Sequence, residues 1–249
     1  MSNDLAFALR GVGAVVGSSF ALRDVSFELP TGYVMGLIGA NGAGKTTIIR
    51  CLLGMRPIDT GEIELLGHPV PGPVALRQDV GVVLDHTYLV ALSHQARLLV
   101  FDEPTSGLDP VARDELLGIV GDFLVDEGHS VLFSTHITAD LDRIGDYLTL
   151  VHDGRVVRSG VKDEILEAYR VVRAGPDDLS GLVGVQLIGA RRTSTGAQAL
   201  VRTEEADLLG GHVLVEVPTL EEIAVHIGAR GPRRDPDPGR EGRRKVGTA

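Results

Sequence analysis

Residues 39–46 read Gly-Ala-Asn-Gly-Ala-Gly-Lys-Thr, and the fold of the chain can be worked out from this stretch. It fits the pattern G-x-x-x-x-G-K-[ST] of the phosphate-binding P-loop. The apolar run Val34–Ile38 before it has the length of a buried strand, and residues 47–53 after it contain no helix breaker. Strand, glycine loop and helix are the context that this motif requires. They argue against the alternative, a glycine-rich turn that fits the pattern by chance.

The residue types of this loop suit the binding of phosphate. Glycine lacks a Cβ, so backbone N–H groups can close around phosphate oxygens, and the helix N-terminus adds the positive end of its dipole. Lys45 is expected to reach the β- and γ-phosphates, and the Thr46 hydroxyl is expected to bind Mg²⁺. The predicted nucleotide-binding residues are Gly39, Asn41, Gly42, Ala43, Gly44, Lys45, Thr46 and Thr47.

A second chemical landmark is the run Leu98–Pro104, in which four apolar residues precede an aspartate. This pattern predicts a strand that presents Asp102 at its carboxyl end, where ligands bind in open α/β sheets. Asp102 is expected to hold Mg²⁺ through water, on the same ion as Thr46. Glu103 follows as a candidate to polarise an attacking water. The alternative for both carboxylates is a solvated acidic turn.

The chain then predicts a helix and a further strand. Asp109 has the chemistry of a helix N-cap and Pro110 suits the first helical position, so a helix is predicted from there to about Glu127. The next strand is predicted over residues 130–134. His136 lies just past its end and is a candidate contact for a γ-phosphate. Taken alone, it would be interpreted as an ordinary loop histidine.

Composition limits the possible function classes. The chain has 249 residues, 43% of them hydrophobic, which is typical of a globular protein with a core. The formal net charge of −10 argues against a nucleic-acid partner. The one cysteine, Cys51, excludes an internal disulfide framework and is expected to be a small buried apolar residue. No bilayer-spanning run and no signal peptide are expected, so a membrane role would need a partner.

Three segments, in this order, resemble the ATP-binding subunit of an ABC transporter. They are GANGAGKTT at 39–47, LLVFDEPTSGLDP at 98–110 and the triplet Ser134-Thr135-His136. The resemblance covers about residues 5–160, and DEPTSGLDP most resembles single-domain subunits of bacterial drug or antibiotic exporters. It implies an α/β fold, with a P-loop NTPase core and an N-terminal antiparallel β subdomain.

The resemblance also implies roles for individual residues. In that family the P-loop is the Walker A motif, and Asp102 takes the place of the Walker B aspartate. Glu103 takes the place of the catalytic glutamate, residues 106–109 form the D-loop, and His136 is the switch histidine. The ligands that the resemblance implies are ATP and Mg²⁺.

Family members sandwich ATP between two such subunits, arranged head to tail beside membrane-spanning permeases. The implied partners are therefore a permease subunit and a second ABC ATPase subunit, in a homodimer or a heterodimer. The implied location is the cytoplasm, at the inner face of the cell membrane, where the permease partner would hold the chain.

The family pattern breaks between the strand that ends at Leu84 and the strand that starts at Leu98. The family places a helical subdomain and an LSGGQ-like signature there, whereas this chain has the thirteen residues 85–97. Thirteen residues are too few for a helical subdomain. Residues 92–95 read Leu-Ser-His-Gln and superficially resemble the signature, but only two residues separate them from the next strand. The subdomain and the signature are therefore predicted to be absent.

Two further family positions differ. Asp85 stands where the family has the glutamine of the Q-loop. The aromatic residue that stacks on adenine aligns best with Val16, and Phe20 is the nearby substitute, which we interpret as a core residue of its strand. Binding through phosphate and Mg²⁺ is compatible with these changes, whereas base stacking and assembly of a composite site are not supported by them.

Two short signals organise the second half of the chain. Asp153-Gly154 between apolar runs is typical of a type I′ hairpin. Thr219, followed three residues later by Glu222, forms a capping box that predicts a helix to about Ile227.

Three regions are predicted. Residues 1–160 form the ABC-type ATPase domain without its helical subdomain. Residues 161–228 form a small α+β accessory domain, because short apolar stretches precede the capped helix. Residues 229–249 form a disordered basic tail without apolar residues to bury, for which solvation is favoured over contact with an anionic membrane.

The leading functional hypothesis is an ATP-binding, ATP-hydrolysing subunit of an ABC-type export transporter, with hydrolysis impaired. The alternative is a nucleotide-binding remnant or regulatory subunit that does not hydrolyse ATP, because the signature is missing. A soluble ABC protein of translation or DNA repair is the third class, but paired ATPase domains and long coiled-coil insertions are not visible in the sequence.

Overall fold

The protein is described from a computed structural model, which covers residues 4–17, 20–72, 78–84, 96–175, 185–193, 196–209 and 213–229. In these parts the chain forms three sheets with short helices between them. The thirteen-residue link falls largely on residues 85–95, and the predicted tail on 230–249. Both lie outside the described residues, apart from Ala96, Arg97 and Ala229.

A six-stranded sheet in the order β10-β9-β3-β8-β7-β6 forms the centre of the molecule. All neighbouring pairs are parallel except β9 and β10. The apolar runs of β3, β7 and β8 are buried on both faces, as expected for a parallel sheet covered by other elements. The strands are β3 (Val34–Ile38), β6 (Val80–Leu84), β7 (Leu98–Asp102), β8 (Ser130–Thr135), β9 (Tyr147–His152) and β10 (Arg155–Val161).

An antiparallel sheet in the order β2-β1-β4-β5 is formed by the N-terminal part of the chain. Strand β2 alternates buried and exposed residues near its end, where apolar and polar residues alternate in its sequence. Strand β1 continues well beyond Leu9, where the apolar run ends, because β-bulges between Leu9 and Ala14 carry the pairing past Gly11. The strands are β1 (Leu5–Val16), β2 (Phe20–Pro30), β4 (Thr60–Leu65) and β5 (His68–Pro69).

Helix α1 (Lys45–Leu52) follows β3 and precedes β4 in the chain. Its apolar side packs into the core that the two sheets share. Cys51 in this helix is fully buried, and burial raises the pKa of its thiol. The prediction that Cys51 is a buried apolar residue is therefore confirmed.

Helix α2 (Pro110–Phe123) begins as predicted and ends earlier than predicted. The Asp109 carboxylate accepts hydrogen bonds from two backbone N–H groups of the first turn, at 2.9 and 3.1 Å. The predicted end at about Glu127 is wrong. The Asp126 carboxylate accepts the N–H of Gly128 at 2.9 Å, and this local bond turns the chain into β8.

The C-terminal part forms a third sheet in the order β12-β13-β11-β14 and carries the capped helix that the sequence predicts. Its apolar residues, including Val171 and Ile223, join one cluster with Val34 and Phe133 of the central sheet. The domain boundary at residue 160 stays a prediction. The remaining elements are α3 (Thr138–Ile144), α4 (Lys162–Glu167), β11 (Tyr169–Ala174), β12 (Ile188–Thr193), β13 (Gly196–Arg202), α5 (Thr203–Ala206), β14 (Leu214–Glu216) and α6 (Leu220–Gly228).

None of the helices in the described parts of the chain combines the length and the apolar character that crossing a bilayer requires.

His226 in α6 makes the stability of this packing sensitive to pH. The ring is fully buried, Nδ1–H donates to the Gly189 carbonyl at 2.8 Å, and Nε2 has no partner among the described residues. Burial lowers the pKa of His226 below its ordinary value of 6.5, the charges of Arg191 and Arg173 lower it further, and the Gly189 bond and Glu222 oppose this shift. Below pH 6.5, His226 therefore binds a proton in the unfolded chain more readily than in the folded chain.

We expect the free energy of unfolding to fall as the pH drops below about 6.5, with a slope of at most about 1.4 kcal/mol per pH unit from this one group. His226→Gln should flatten that dependence, since glutamine does not titrate. The measurement is the melting temperature between pH 7.5 and 5.5, with His68→Gln at an exposed position as the control. Equal pH dependence in both variants would contradict this role of His226.

Candidate functional site

The P-loop follows β3 directly and is shaped by two glycines with positive φ. Gly42 has a φ of 83° and Gly44 a φ of 114°, both in the left-handed region that favours glycine. Between them, the Ala43 N–H donates to the Ala40 carbonyl at 3.0 Å and closes a turn. A Cβ at Gly44 would lie 2.9 Å from the ring of Phe20, so glycine is required there for space as well as for conformation.

Helix α1 begins with its first N–H groups free of side-chain capping. Its N-cap is Gly44, no side chain caps it, and no acidic residue stands in the first turn. A helix N-terminus of this kind binds anions, because the N–H groups and the dipole both point to the ligand.

Lys45 is held inside the loop by groups of opposite charge or polarity. Its side chain is only 6% exposed, and Nζ donates to the Gly39 carbonyl at 2.7 Å. Nζ also lies 3.0 Å from Oε1 of Glu103. The sequence predicted both residues at the site, but it did not predict that the carboxylate pairs with the lysine.

Thr46 and Asp102 meet as the sequence predicts for a shared ion. The Thr46 hydroxyl donates to Oδ2 of Asp102 at 2.7 Å. The other oxygen, Oδ1, is buried without a hydrogen-bond partner among the described residues. Oxygen ligands of this type, one hydroxyl and one carboxylate, fit Mg²⁺, which commonly completes its shell with water and substrate phosphate oxygens.

Glu103 connects Lys45 to His136. Its Oε2 lies 2.6 Å from Nδ1 of His136, and because an ionised carboxylate can only accept, Nδ1 carries the proton. The same oxygen accepts the backbone N–H of His136 at 3.3 Å. The Glu103 backbone has a φ of 53°, which is unusual for a residue with a Cβ. The carboxylate is thereby aimed at the P-loop.

A cleft of about 410 Å³ opens at the mouth of the P-loop. Two of the predicted nucleotide-binding residues, Gly39 and Ala43, do not line this cleft, and Ala43 is buried. Val16, at the family's adenine-stacking position, does line the cleft, and so does Phe20, which also packs against the apolar core. The full lining is Val16, Phe20, Asn41, Gly42, Gly44, Lys45, Thr46, Thr47 and Glu103.

His136 lines a second, neighbouring cleft of about 290 Å³ and not the P-loop cleft. The residues that line this cleft include Gly39 and Ala40 of the P-loop and Ala224 and Val225 of α6. The sequence does not predict that the C-terminal helix lies beside the start of the P-loop, because nothing in its local pattern encodes that distant contact.

The tip of the β9–β10 hairpin braces the P-loop, a role that the sequence did not predict. Asp153 and Gly154 have φ values of 46° and 71°, as the predicted type I′ turn requires. The Gly154 N–H donates to the Ala43 carbonyl at 2.9 Å, and its carbonyl accepts the N–H of Arg23 at 2.8 Å. The P-loop is therefore joined to the hairpin and to β2 through one residue.

Gly154→Ala should destabilise the fold and weaken nucleotide binding. A Cβ at Gly154 would lie 2.1 Å from the Ala21 carbonyl oxygen, so the brace must shift. Gly67→Ala is the matched control, because Gly67 has a similar φ of 77° and no atom within 4 Å of the added Cβ. Both variants carry about 1–2 kcal/mol of backbone strain.

Gly154→Ala should lose about 1–3 kcal/mol more than the control through overpacking. Urea titrations measure the loss of stability in both variants, and MgATP titrations measure the loss of affinity. A Gly154 variant that matches Gly67→Ala in both experiments would show that the brace is unimportant.

A parallel sheet with a glycine loop after β3, a helix N-terminus aimed at that loop and an aspartate at the end of β7 define a P-loop nucleotide-binding protein. Comparison with known proteins narrows this class. The family model "ABC transporter" matches residues 22–91.

Curated relatives agree with that match. The chain is 26% identical to "Nod factor export ATP-binding protein I" of Sinorhizobium fredii, over 92% of this chain and 87% of the relative. It is 28% identical to the protein of the same name in Neorhizobium galegae, over 72% of this chain and 70% of the relative.

Solved structures show the same fold at lower identity. CbiO1 of Clostridium perfringens, described as part of an ABC transporter complex, matches with a TM-score of 0.56 and 18% identity, over 65% of this chain and 90% of that one. A structure titled as the ATP-binding subunit of an ABC transporter matches with a TM-score of 0.54 and 23% identity, over 72% and 95%. The predicted resemblance to an ABC transporter ATP-binding subunit and the predicted α/β P-loop NTPase fold are both confirmed.

The alignment with the Sinorhizobium relative is longer than this chain. It runs over 303 positions, although the whole chain has 249 residues. The relative therefore has residues in the aligned region that have no counterpart in this chain. The short link between β6 and β7, where the helical subdomain is predicted to be absent, is consistent with these additional residues in the relative.

Proposed function

We propose that this chain is the ATP-binding subunit of an ABC-type exporter and that it binds MgATP at the P-loop. The observation that carries the proposal is that Lys45, Thr46 and Glu103 line one cleft at an uncapped helix N-terminus, with Asp102 bonded to Thr46. ATP hydrolysis is general in this family, and the relatives named above are export proteins, which supports the choice of exporter.

The chain's own residues bind and orient the nucleotide. The N–H groups at the start of α1 and the Lys45 ammonium neutralise phosphate charge, and the phosphates replace the Glu103 carboxylate as the partner of Lys45. Thr46 and Asp102 would hold Mg²⁺, which would offset the charge of the phosphate oxygens. Glu103, released from Lys45, is the group that accepts the proton of an attacking water, and the Nδ1–H of His136 holds its orientation.

The permease partner and the inner face of the membrane belong to the same proposal. Export requires a protein that spans the membrane, and ABC ATP-binding subunits work beside such permeases. A second ABC ATPase subunit is the other proposed partner. The name of the relatives refers to Nod factor export, but the described residues of this chain contain no feature that selects one cargo.

A second candidate function is a nucleotide-binding subunit that does not hydrolyse ATP. The observation that favours it is the thirteen-residue link from Asp85 to Arg97, which leaves no room for a helical subdomain. Phosphate binding does not depend on that subdomain, whereas the facing half of a composite site does.

Titration calorimetry with ATP, in the presence and absence of Mg²⁺, tests the proposed binding function. We expect saturable binding that weakens when Mg²⁺ is removed, because Thr46 and Asp102 contribute only through the ion. Absence of ATP binding by the folded chain would contradict both candidate functions. Hydrolysis measured on the same sample separates the two, since slow turnover that Glu103→Gln abolishes is expected of an impaired ATPase and not of a subunit that does not hydrolyse ATP.

A further inference from the structure

A buried carboxylate lies behind the Glu103–His136 pair. Asp140 in α3 is 0% exposed, and one of its oxygens accepts the Thr105 hydroxyl at 2.8 Å. The other oxygen accepts Nε of Arg113 in α2. A fully buried aspartate is uncommon unless it is paired, and here both oxygens are used. Neither the family roles nor the proposed nucleotide site accounts for this cluster of Thr105, Arg113 and Asp140.

The cluster joins the two segments that carry the pair. Thr105 is two residues past Glu103, and its side chain is 2% exposed. Asp140 is four residues past His136, in the helix that begins at Thr138, two residues after the histidine. The bond between the Thr105 hydroxyl and the Asp140 carboxylate therefore fixes the distance between the backbone segments of Glu103 and His136.

This connection is needed because Glu103 has an unfavourable backbone conformation. A left-handed φ at a residue with a Cβ persists only where the surrounding structure holds it. The Glu103 N–H donates to the Ser134 carbonyl at 2.9 Å, and the Ser106 N–H donates to the Glu103 carbonyl at 3.2 Å. Both bonds act on the backbone of Glu103. The Thr105 side chain joins this turn to α3 through its hydrogen bond with Asp140.

We propose that Thr105 and Asp140 are positioning residues that hold the Glu103 carboxylate in its hydrogen bond with His136 Nδ1. The role in catalysis rests on the proposed function, in which Glu103 acts on the water that attacks MgATP. The positioning itself is a property of the chain and can be measured without turnover. Displacing a catalytic carboxylate by about 1 Å can lower the rate on the order of 100-fold, so a bond that holds it in place matters for turnover.

A simple brace between α2 and α3 is the competing explanation for the cluster. The chain offers a matched control, because Arg143 of α3 and Asp114 of α2 form an exposed ion pair at 2.8 Å between the same two helices. Breaking that pair loosens the contact between the helices without touching the turn after Glu103. A positioning role and a bracing role therefore predict different results for the two sites.

The experiment compares Thr105→Val, Thr105→Ser and Arg143→Gln by NMR of imidazole ¹⁵N-labelled histidine. Thr105→Val should lose the wild-type signature of His136, with the Nδ1 resonance moving from a protonated nitrogen towards the average of the two tautomers. Thr105→Ser keeps a hydroxyl and should restore the signature, and Arg143→Gln should leave it unchanged. Should Thr105→Val not fold, Thr105→Ala removes the same hydroxyl without adding a methyl group beside the carboxylate.

MgATP affinity, measured on the same samples, separates this inference from the proposed function. Thr105→Val should still bind MgATP, because Lys45 and Thr46 remain at the P-loop cleft and neither Thr105 nor Asp140 lines it. A His136 signature that survives in Thr105→Val, or that is lost equally in Arg143→Gln, would overturn the positioning role. Absence of ATP binding by wild type, with the signature still lost in Thr105→Val, would overturn the proposed function alone.

Discussion

Lys45→Ala should weaken MgATP binding by about 2–4 kcal/mol, or roughly 30- to 1000-fold in Kd. The lysine side chain is nearly enclosed, and Lys45 is the cationic residue among those that line the cleft. Charge-assisted contacts to phosphate in such a partly desolvated site are strong, and alanine removes all of them. Titration of both proteins with MgATP gives the two dissociation constants.

Lys162→Ala is the matched control for this experiment. Its ammonium also donates to two backbone carbonyls, those of Leu141 and Asp142, at 3.3 and 3.1 Å. Because Lys162 does not line the P-loop cleft, its replacement should leave the affinity for MgATP unchanged. Equal ATP affinity in wild type and Lys45→Ala would rule out the assignment of the site.

The parts of the site that the sequence predicts are those carried by local motifs. The P-loop, the helix after it and the Asp102 strand follow from short patterns with a fixed geometry, and the contact between Thr46 and Asp102 follows from the topology. The hairpin turn at Gly154 and the cap at Thr219 are also local. Their predictions needed no knowledge of distant contacts.

The parts that the sequence could not predict depend on tertiary packing. The salt bridge between Glu103 and Lys45 requires the left-handed turn at Glu103, for which no glycine or asparagine gives a signal. The contact between Gly154 and the P-loop requires the relative placement of three elements. The Thr105–Asp140 bond joins residues 35 positions apart, and neither is unusual in its own segment.

The second large effect concerns turnover. The isolated chain should hydrolyse MgATP at least about 100- to 1000-fold more slowly than a complete relative, because removing one preorganised donor to the transition state typically costs that much. Phosphoryl transfer depends almost entirely on positioning and electrostatic stabilisation. In a homodimer of this chain, the facing signature would be missing from both sites. The measurement is phosphate release by the purified chain, with Glu103→Gln as the control for contaminating ATPase.

Robust turnover that Glu103→Gln abolishes would contradict this prediction. Such activity would mean that the chain supplies a full set of donors by itself. Slow turnover with tight MgATP binding is the expected result, and the next question is then whether a partner can complete the site.

A complete relative should close one site with this chain and not two. The relative's signature can cover ATP held at residues 39–46, whereas the link over residues 85–97 offers nothing to the relative's own ATP. Glu103→Gln in this chain slows hydrolysis and should trap the closed pair, since the carboxamide is a poor proton acceptor. Light scattering of this variant mixed with a relative and ATP should show a heterodimer, and nucleotide counting should show one tightly held ATP. A homodimer that forms with ATP alone, or a pair that holds two ATP molecules equally well, would contradict the asymmetry.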